Sequence, residues 1–516
     1  MPTALLWLRH DLRLHDHAPL AAALRHAGPP EAGGRLLAVC CLDPRDAEAT
    51  RWGVPKTGGH RARFRLEALH DLRARMRALG GDLAVRHARP EDAVPELAAA
   101  SGASALFYHH EPMREEADVE DAVLAALPGV DAHAFWGHTL VDPDALPFAD
   151  LPDVFTPFRK GAERSRPFPE PLAAPDRLPP APEAVDPGEV PASPEAIGIE
   201  PLETDPRAVT AFRGGESVGL ARLETYLWER DALRSYKETR NGMLGEDYSS
   251  KFSPWLAHGC LSPRRIAAEV ARYEAERVSN SSTYWMIFEL LWRDFFRLYA
   301  RKHGDKLFWL GGPKGERGMP RRVDAGLYAK WREGRTGFPL VDANMIELRT
   351  TGFMSNRGRQ NAASFWCKHM EQDWRAGAAW FEAMLIDYDV TSNWGNWAYV
   401  AGVGSDPRDR YFDIETQSKK YDADAEYVSH WIPPLATLPA PLAREPYRMT
   451  EMEQEMHGVR LGEDIPTPLL DYDRETARLR RARGSGGGLD RGRGARGSKG
   501  RPGDGRGASR KRQRRR

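Results

Sequence analysis

Three serines stand close together ahead of a predicted helix in residues 247–264, DYSSKFSPWLAHGCLSPR. Hydroxyls and backbone N–H groups at such a turn can hold a phosphate group. Ser249, Ser250 and Ser253 are therefore candidate phosphate ligands. The alternative is that they cap the helix, because serine is a preferred residue at helix starts.

A second candidate site lies on the aromatic segment 282–297, STYWMIFELLWRDFFR, which predicts a helix. Glu289 and Arg293 are four residues apart, so they share one helix face, with Trp292 beside them. The alternative is a half-buried helix that carries an exposed ion pair. The segments that follow favour a binding site.

Arg, Asn and Asp are dense beside tryptophan in residues 331–404. The dense set falls into two short groups: Asn356, Arg357 and Arg359, then Asp387, Asp389, Asn393 and Trp397. A buried charge needs a partner and a buried amide needs a hydrogen bond, so a core helix rarely carries so many. A polar cofactor buried among these side chains would supply the partners.

These blocks resemble, in order, the FAD domain of photolyases and cryptochromes, from residue 214 to about residue 431. The opening LLWLRHDLRLHDHAPL, residues 5–20, resembles the first strand and loop of the same family. The wording TGFMSNRGRQNAASF together with DYDVTSNWGNW is characteristic of the family's DASH branch. The resemblance covers nearly all of the chain before its tail, and the proline-rich segment 166–206 is the loosest part.

The resemblance implies an FAD cofactor, folded so that its adenine lies near the flavin ring. Arg359 and Asp387 would pair beneath the ring, and Asp389 would face the hydroxyls on the adenine side. Asn393 would stand opposite flavin N5, where an amide can accept a hydrogen bond without placing a negative charge beside a reduced ring. The implied cofactor-binding residues are Tyr236, Ser249, Ser250, Lys251, Phe252, Ser253, Arg293, Asn356, Arg359, Asp387, Asp389 and Asn393.

The implied activity is light-driven electron transfer from reduced flavin to a cyclobutane pyrimidine dimer, with the protein binding and tuning the cofactor. Glu289 would bond the edge of a flipped pyrimidine and Trp292 would stack on it, with Asn356 and Asn393 completing the implied catalytic set. The implied DNA contacts are Arg240, Glu289, Trp292, Arg357, Tyr399 and Arg410. Extracting a lesion costs least in a single strand, so single-stranded DNA is the expected substrate.

Several positions depart from other branches of the family. A (6-4) photolyase is expected to have a pair of histidines where this chain reads MSNR, residues 354–357, so that reaction would lack its proton donor. Gln360 and Tyr399 stand where strong duplex-dimer photolyases place Met and Trp, which implies a more polar pocket and a weaker grip on duplex lesions. Asp413 replaces an expected Asn.

The resemblance also implies a chain of aromatic residues that supplies electrons to oxidised flavin. Trp397 and Trp374 match its inner and middle members, but the outermost position holds Arg321. Either photoreduction is impaired or one of three residues substitutes: Trp309, Tyr328 or Trp331.

The segment YHHEPMREEADVE, residues 108–120, resembles the folate-binding segment of the family. Glu116 aligns with the carboxylate that holds the pterin, so a 5,10-methenyltetrahydrofolate antenna is expected. The alternative is an acidic helix start, since acidic residues favour that position.

The elements that position these residues change character along the chain. Buried strands are predicted at 4–8, 36–42, 83–85 and 105–108, and helices at 61–79 and 118–127, which indicates a parallel, Rossmann-like α/β sheet. No G-x-G-x-x-G follows the first strand, so dinucleotide binding of the Rossmann type is not indicated. Helices are then predicted at 283–303, 354–369 and 376–385, within an all-α region.

Four segments follow from this pattern: an α/β antenna-binding domain over 1–140, a proline-rich connector over 141–212, a helical FAD-binding domain over 213–477, and a tail over 478–516. The 516 residues carry no net charge, yet the tail alone holds fourteen Arg, two Lys and two Asp. Such a composition predicts disorder. Its Arg-Gly repeats fit contact with RNA or nonspecific DNA, and a solvated linker is the alternative.

The four cysteines show no C-x-x-C spacing, which argues against a disulfide framework and a zinc site, so no metal is expected: Cys40, Cys41, Cys260 and Cys367. The apolar run 4–8 is broken at once by RHD, so it serves neither as a signal sequence nor as a membrane span. A cytoplasmic monomer is expected.

Two functions remain open at this point. One is an enzyme that repairs cyclobutane dimers, and the other is a blue-light photoreceptor or DNA-binding regulator that uses the same pocket. Restoration of thymines under blue light would distinguish them.

Overall fold

A five-stranded parallel sheet opens the computed structural model, which describes residues 3–406, 408 and 410–486. Its strand order is β3-β2-β1-β4-β5. Every residue of the first strand is buried, as expected for a parallel sheet covered on both faces. The strands are β1 Thr3–Leu8, β2 Arg35–Leu42, β3 Leu83–His87, β4 Ala103–His109 and β5 Asp131–Phe135.

One helix follows each of the first four strands: α1 Ala18–Ala27, α2 Gly59–Ala78, α3 Pro90–Ser101 and α4 Arg114–Ala125. This alternation confirms the predicted α/β class. Helices α1 and α3 and strand β5 were not predicted from the sequence. Strand β5 reads DAHAF and is largely exposed at the sheet edge, so it lacks the apolar run that reveals a buried strand.

The proline-rich connector, residues 141–212, carries the short helix α5, Phe155–Ala162, and three of the 3-10 turns given below. Leu178 N donates to Leu79 O at 2.8 Å, and Val85 N donates to Pro187 O at 2.9 Å. These backbone bonds tie the segment to α2 and to strand β3.

The rest of the first compact unit is helical, which confirms the second half of the predicted fold class. Its helices are α6 Glu216–Glu224, α7 Tyr236–Thr239, α8 Ser253–Ala257, α9 Pro263–Glu276, α10 Ser281–His303, α11 Ala325–Glu333, α12 Pro339–Thr351, α13 Asn356–Ser364, α14 Trp374–Met384, α15 Val390–Ala401, α16 Ile414–Tyr421, α17 Glu426–Trp431, α18 Ala440–Arg444 and α19 Glu451–His457. Single π-helical turns, Thr225–Glu229 and Phe365–His369, extend α6 and α13.

Short 3-10 turns connect many of these elements: Pro30–Ala32, Pro44–Ala47, Pro143–Ala145, Glu163–Ser165, Pro194–Ile197, Ala232–Ser235, Gly304–Phe308, Pro433–Thr437 and Pro446–Arg448.

The α/β and helical parts of this unit are joined through buried carboxylates. Glu216 on α6 accepts from Leu14 N at 2.7 Å. Asp294 on α10 accepts from Leu140 N at 2.8 Å and from Val141 N at 3.0 Å. These bonds fix α10, which carries Glu289 and Trp292, against the chain that leaves the sheet.

A second unit begins at Asp471 and contains helix α20, Tyr472–Gly486. Helix α20 extends past Arg478, where the predicted disordered tail begins, as far as Gly486. Its first turn holds Asp473 and Glu475, which favour a helix start. Residues 487–516 of the predicted tail lie outside the described residues.

Candidate functional site

The turn that carries Ser249 and Ser250, here called the serine turn, lies directly ahead of α8 and is bonded by Arg222. Arg222 Nε donates to Ser250 O at 3.1 Å. Ser249 and Ser250 are partly exposed and Ser253, the first residue of α8, is exposed. No side chain caps α8, so the capping alternative is wrong and the hydroxyls are available to a ligand. Phe252, also in this predicted set, is buried.

Lys251, inside the same turn, is buried in a left-handed conformation with φ 56°. Its Nζ lies 3.4 Å from the centroid of the Tyr248 ring and has no hydrogen-bond partner among the described residues. Burial lowers the pKa of Lys251 to about 7, and Arg222 acts in the same direction. A buried amine in this state needs a polar or anionic partner.

Glu347 on α12 lies near Lys251 and was not identified from the sequence. One of its oxygens accepts from Tyr427 OH at 2.7 Å, while Oε1 has no partner within the described part of the chain. Burial raises the pKa of Glu347 to about 8, against the opposing charge of Lys251. A glutamate inside the apolar run of α12 was the signal that could have revealed it.

Arg359 and Asp387 form the predicted pair: Arg359 Nη2 donates to Asp387 Oδ2 at 2.8 Å. Arg359 Nε also donates to Met354 O at 2.9 Å, which orients the guanidinium. The Arg359 side chain keeps 26% of its surface exposed, whereas that of Asp387 keeps 2%. The second oxygen of Asp387, Oδ1, is buried and finds no hydrogen-bond partner in the described residues.

Asp389 directly precedes α15 and caps it, and Asn393 lies in the first turn of this helix. Asp389 Oδ1 accepts from Ser392 N at 2.7 Å. Burial raises the pKa of Asp389, but Arg293 and Arg297 outweigh this and hold it below its ordinary value. Asn393 Nδ2 donates to a carbonyl of α14 at 3.0 Å, so its side-chain oxygen is the end left to accept a bond from a ligand.

Asn356 begins α13 and is exposed. Ser355 caps this helix by accepting from Gly358 N at 3.0 Å. A Cβ at Gly358 would overlap the side-chain oxygen of Asn344, so close packing of α13 on α12 requires glycine here. Tyr236, predicted for the same ligand, is buried at the start of α7.

These features together fit a buried polar cofactor such as FAD. Buried polar atoms on Tyr248, Lys251, Glu347 and Asp387 have no hydrogen-bond partner in the part of the chain that the structure describes. A native structure rarely leaves such atoms unsatisfied, and a missing ligand is one reason for it. Exposed hydroxyls of the serine turn and the free oxygen of Asn393 add further acceptors and donors.

Glu289, half-buried on α10, interacts with two donors through its side chain. Arg240 Nη1 lies 2.6 Å from its Oε1, and Trp285 Nε1 donates to the same oxygen at 3.1 Å. The ion pair with Arg293 that the sequence suggested as an alternative is therefore wrong. Burial raises the pKa of Glu289, while Arg240 opposes the rise.

Trp292 lies three residues further along the same helix. Its ring stacks on Phe155 with centroids 3.6 Å apart, so that one face is covered. Tyr399 meets it edge-on at 6.2 Å and accepts a hydrogen bond from Arg410. Three of the predicted DNA-contacting residues thus share α10 or lie beside Trp292, and Arg410 bonds one of them.

Arg357 on α13 donates to Gln360 at 2.8 Å and to Asn241 at 2.9 Å. Its guanidinium lies 4.4 Å from the centroid of the Tyr421 ring. Burial lowers its pKa, and Arg240 contributes to the lowering. Arg357 and Arg240 therefore belong to one cationic region.

Arg293 faces a different region from Glu289. It donates to His138 O and, at 3.3 Å, to Leu256 O. It lines a cavity between the α/β and helical domains whose lining also includes Lys56, Arg61, Glu111, Glu116 and Asp389. The predicted antenna residue and the predicted adenine-side carboxylate thus line one cavity.

Glu116 itself stands in the first turn of α4, as the acidic helix start requires. Burial raises its pKa. Both interpretations of this residue therefore agree with the structure.

One group of metal-ligating type occurs in the described residues: Asp11, His17 and His109. His17 Nδ1 accepts from Leu20 N at 3.0 Å. The other nitrogen of this ring, Nε2, lies 3.0 Å from Asp11 Oδ2, and His109 Nδ1 lies 2.8 Å from the same oxygen. Asp11 Oδ2 thus lies within 3.0 Å of one nitrogen of each histidine ring.

No helix of the described residues combines the length and apolar character that spanning a bilayer requires.

Comparison with known proteins gives consistent matches across the chain. A family model for the FAD binding domain of DNA photolyase matches residues 285–484, and a DNA photolyase model matches residues 4–176. Cryptochrome DASH of Gloeobacter violaceus is 53% identical over 480 residues, covering 92% of this chain and 94% of that protein.

Solved structures agree. A cryptochrome from Synechocystis sp. superposes with a TM-score of 0.88 at 49% identity, covering 93% of this chain and 99% of that one. A bacterial class III photolyase from Agrobacterium tumefaciens gives a TM-score of 0.79 at 27% identity, covering 94% and 98%.

Proposed function

Because this chain belongs to the photolyase and cryptochrome family, in its DASH branch, we propose that it repairs cyclobutane pyrimidine dimers in single-stranded DNA under blue light. Bound FAD would supply the light-excited electron for that repair. The observation that carries the proposal is the Glu289 carboxylate beside Trp292 on α10, gripped by Arg240.

Glu289 supports lesion binding because the described residues donate to only one of its oxygens. Oε1 accepts from Arg240 and Trp285, which leaves Oε2 to accept from the N3–H of a flipped pyrimidine. A charge-assisted bond of this kind is roughly twice as strong as a neutral one. The charge of Arg240 also opposes the rise in the pKa of Glu289 that burial causes.

The polar side chains near Trp292 support a preference for single-stranded DNA. Tyr399 and Arg410 bond each other beside Trp292, and Gln360 bonds Arg357, so these side chains offer polar contacts in place of a purely apolar clamp. Such a pocket offers little binding energy to offset the cost of extracting a lesion from a duplex. A single-stranded dimer avoids most of that cost.

The Asn393 amide supports the use of reduced flavin. Its N–H is already donated to α14, so its oxygen can accept from a protonated N5. No carboxylate replaces it at this position, and a reduced ring would meet no added negative charge there.

We further propose 5,10-methenyltetrahydrofolate as the antenna, with Glu116 accepting from the pterin. The cavity that Glu116 lines is rich in both cations and anions, which suits a polar heterocycle with a charged tail. An absorption spectrum with a near-ultraviolet band beside the flavin bands would support it. The band should be lost in Glu116→Ala, with the flavin bands kept.

The protein is proposed to act as a cytoplasmic monomer, with the Arg-rich tail adding nonspecific contact to DNA or RNA. Counterion release would make this contact salt-dependent. Truncation after residue 486 should reduce the salt slope of DNA binding. An unchanged slope removes the tail from the proposal.

The direct test is repair itself. Chemically reduced protein, mixed with a single-stranded oligonucleotide that contains one thymine dimer, should restore the thymines under blue light and not in the dark. Trp292→Ala should lose repair, whereas Trp228→Phe, which changes a half-buried tryptophan on the π-helical turn after α6, should retain it. If the flavin photoreduces but no thymine is restored, the photoreceptor function replaces the enzyme.

A further inference from the structure

Part of the proline-rich connector, residues 150–163, runs antiparallel along helix α10 and is called the strap here. At one end of the strap, Lys302 Nζ donates to Asp150 Oδ2 at 2.9 Å. At the other end, Tyr284 OH donates to Glu163 Oε1 at 2.8 Å. Lys302 lies in the last turn of α10 and Tyr284 in its first turn. The strap therefore follows α10 along nearly its whole length.

The strap contains helix α5, which has eight residues and is too short to be stable by itself. Its position is therefore determined by what it packs against. Phe158 is fully buried and meets Phe295 of α10 at 5.5 Å between ring centroids. Arg159 donates to the hydroxyl oxygen of Tyr284, and its guanidinium lies 5.6 Å from the centroid of the Phe288 ring. These contacts hold α5 on α10.

Phe155, the first residue of α5, has a different main neighbour. Its ring stacks on that of Trp292 with centroids 3.6 Å apart and 10° between the ring planes. It meets Phe288 and Phe295 edge-on, at 5.2 and 5.8 Å. Phe155 is buried, whereas Trp292 is only half-buried. A buried ring thus covers one face of the indole, and part of the indole stays open to a ligand.

This contact fixes the plane of the Trp292 indole. Because the Phe155 ring is in van der Waals contact with one face, the indole cannot turn towards the strap. A nucleobase that stacks on Trp292 must adopt the same plane. Its binding costs less entropy, since the indole is already ordered. Glu289, one turn earlier on α10, is oriented in a comparable way by Arg240.

The alternative is that Phe155 only helps to hold the strap in place. The strap has other attachments, which are the hydrogen bonds at its two ends and the packing of Phe158. Loss of the Phe155 ring leaves all of them present. A purely structural role predicts that Phe155 and Phe158 have the same effect on DNA binding, whereas an effect through Trp292 predicts that they differ.

We propose that Phe155 is a positioning residue for substrate binding, because it holds the Trp292 indole in the plane on which a cyclobutane pyrimidine dimer stacks. The inference rests on the proposed function and adds the connector to the lesion pocket around Glu289 and Trp292. Phosphate contacts bind damaged and undamaged strands alike, whereas a flipped dimer also requires the oriented indole. Phe155 therefore contributes to the selection of damaged DNA.

The test measures binding of the holoprotein, in the dark, to two labelled single-stranded oligonucleotides that differ only in one thymine dimer. Selectivity is the Kd for the undamaged strand divided by the Kd for the damaged strand. Phe155→Leu keeps an apolar side chain but removes the flat ring, so selectivity should fall by up to about tenfold, equivalent to about 1.4 kcal/mol. Phe155→Tyr keeps the ring and should keep the wild-type selectivity.

Phe158→Leu is the matched control. Among the described rings, Phe158 contacts Phe148, Phe155 and Phe295. The substitution removes a fully buried ring from the same helix, so it should destabilise the protein in urea unfolding at least as much as Phe155→Leu does. Its selectivity should nevertheless equal that of the wild type.

A second readout uses no DNA. In protein labelled with fluorotryptophan, the fluorine resonance of Trp292 is assigned by its loss in Trp292→Phe. It should move in Phe155→Leu, because the indole loses the stacked ring, and it should keep its position in Phe158→Leu.

Wild-type selectivity or an unmoved Trp292 resonance in Phe155→Leu overturns the inference. An equal loss of selectivity in Phe158→Leu or in Phe155→Tyr also overturns it. A wild type that binds both strands equally overturns the lesion pocket and the inference together. Repair by chemically reduced wild-type protein is measured in parallel and reports on the proposed function without the variants.

Discussion

Glu347→Gln is expected to remove a pH-dependent loss of stability. Glu347 is buried on α12 beside Lys251, and burial raises its pKa from 4.5 to about 8. Between pH 4.5 and about 8, the folded protein therefore keeps a proton on Glu347 that the unfolded chain has released. Stability from this group is fully present below pH 4.5 and is lost as the pH rises towards about 8.

The size of the effect follows from the two pKa values. A rise from 4.5 to about 8 corresponds to an upper limit of about 5 kcal/mol between the two pH limits. Burial also raises the pKa values of Asp294 and Glu382 to about 7, so these groups likewise make the fold less stable as the pH rises. Both residues remain in the variant. The difference in pH dependence between wild type and variant therefore isolates Glu347.

Urea unfolding of the apoprotein at about pH 5.5 and about pH 8.5 measures this difference. From the lower to the higher pH, the free energy of unfolding of the wild type should fall by several kcal/mol more than that of Glu347→Gln. Glu229→Gln, an exposed glutamate, serves as the control and should follow wild type. If Glu347→Gln shows the same pH dependence as wild type, Glu347 is not protonated in the folded state and the reasoning fails.

Three further substitutions test the site. Gly358→Ala should destabilise the fold by about 1–3 kcal/mol in urea unfolding, because its Cβ would overlap the Asn344 side chain; an unchanged midpoint contradicts this. Glu289→Gln should weaken binding of a dimer-bearing strand up to about tenfold, since a charge-assisted bond becomes neutral. Wild-type binding should also weaken as the pH falls through the raised pKa of Glu289, and the variant should not follow. Asn393→Asp should lower the flavin reduction potential in a redox titration; an unchanged potential would place the residue away from the ring.

The fold could be predicted where burial is continuous. Strands β1 to β4 are apolar runs, and their positions agree with those expected from the sequence. Strand β5 is exposed and polar, so only its pairing with β4 defines it. Helix α20 was not predicted, although the acidic residues of its first turn favour a helix start. The Arg-rich and Gly-rich composition of the residues that follow indicated disorder instead.

The site divides in the same way. Arg359 and Asp387 were expected to pair on the strength of a family resemblance, and the pair is present. The partners of Glu289 and the position of Glu347 beside Lys251 depend on packing between helices far apart in sequence. Local spacing placed Arg293 on the Glu289 face, but tertiary contacts turned it towards the α/β domain.

Uptake of FAD by the apoprotein tests the central claim most directly. Calorimetric titration should show binding of one FAD per chain to the wild type. Asp387→Asn should bind FAD more weakly, because Arg359 then loses its charged partner. A folded apoprotein that binds no FAD would contradict the claim that the orphaned polar groups around Lys251 and Asp387 form a flavin site.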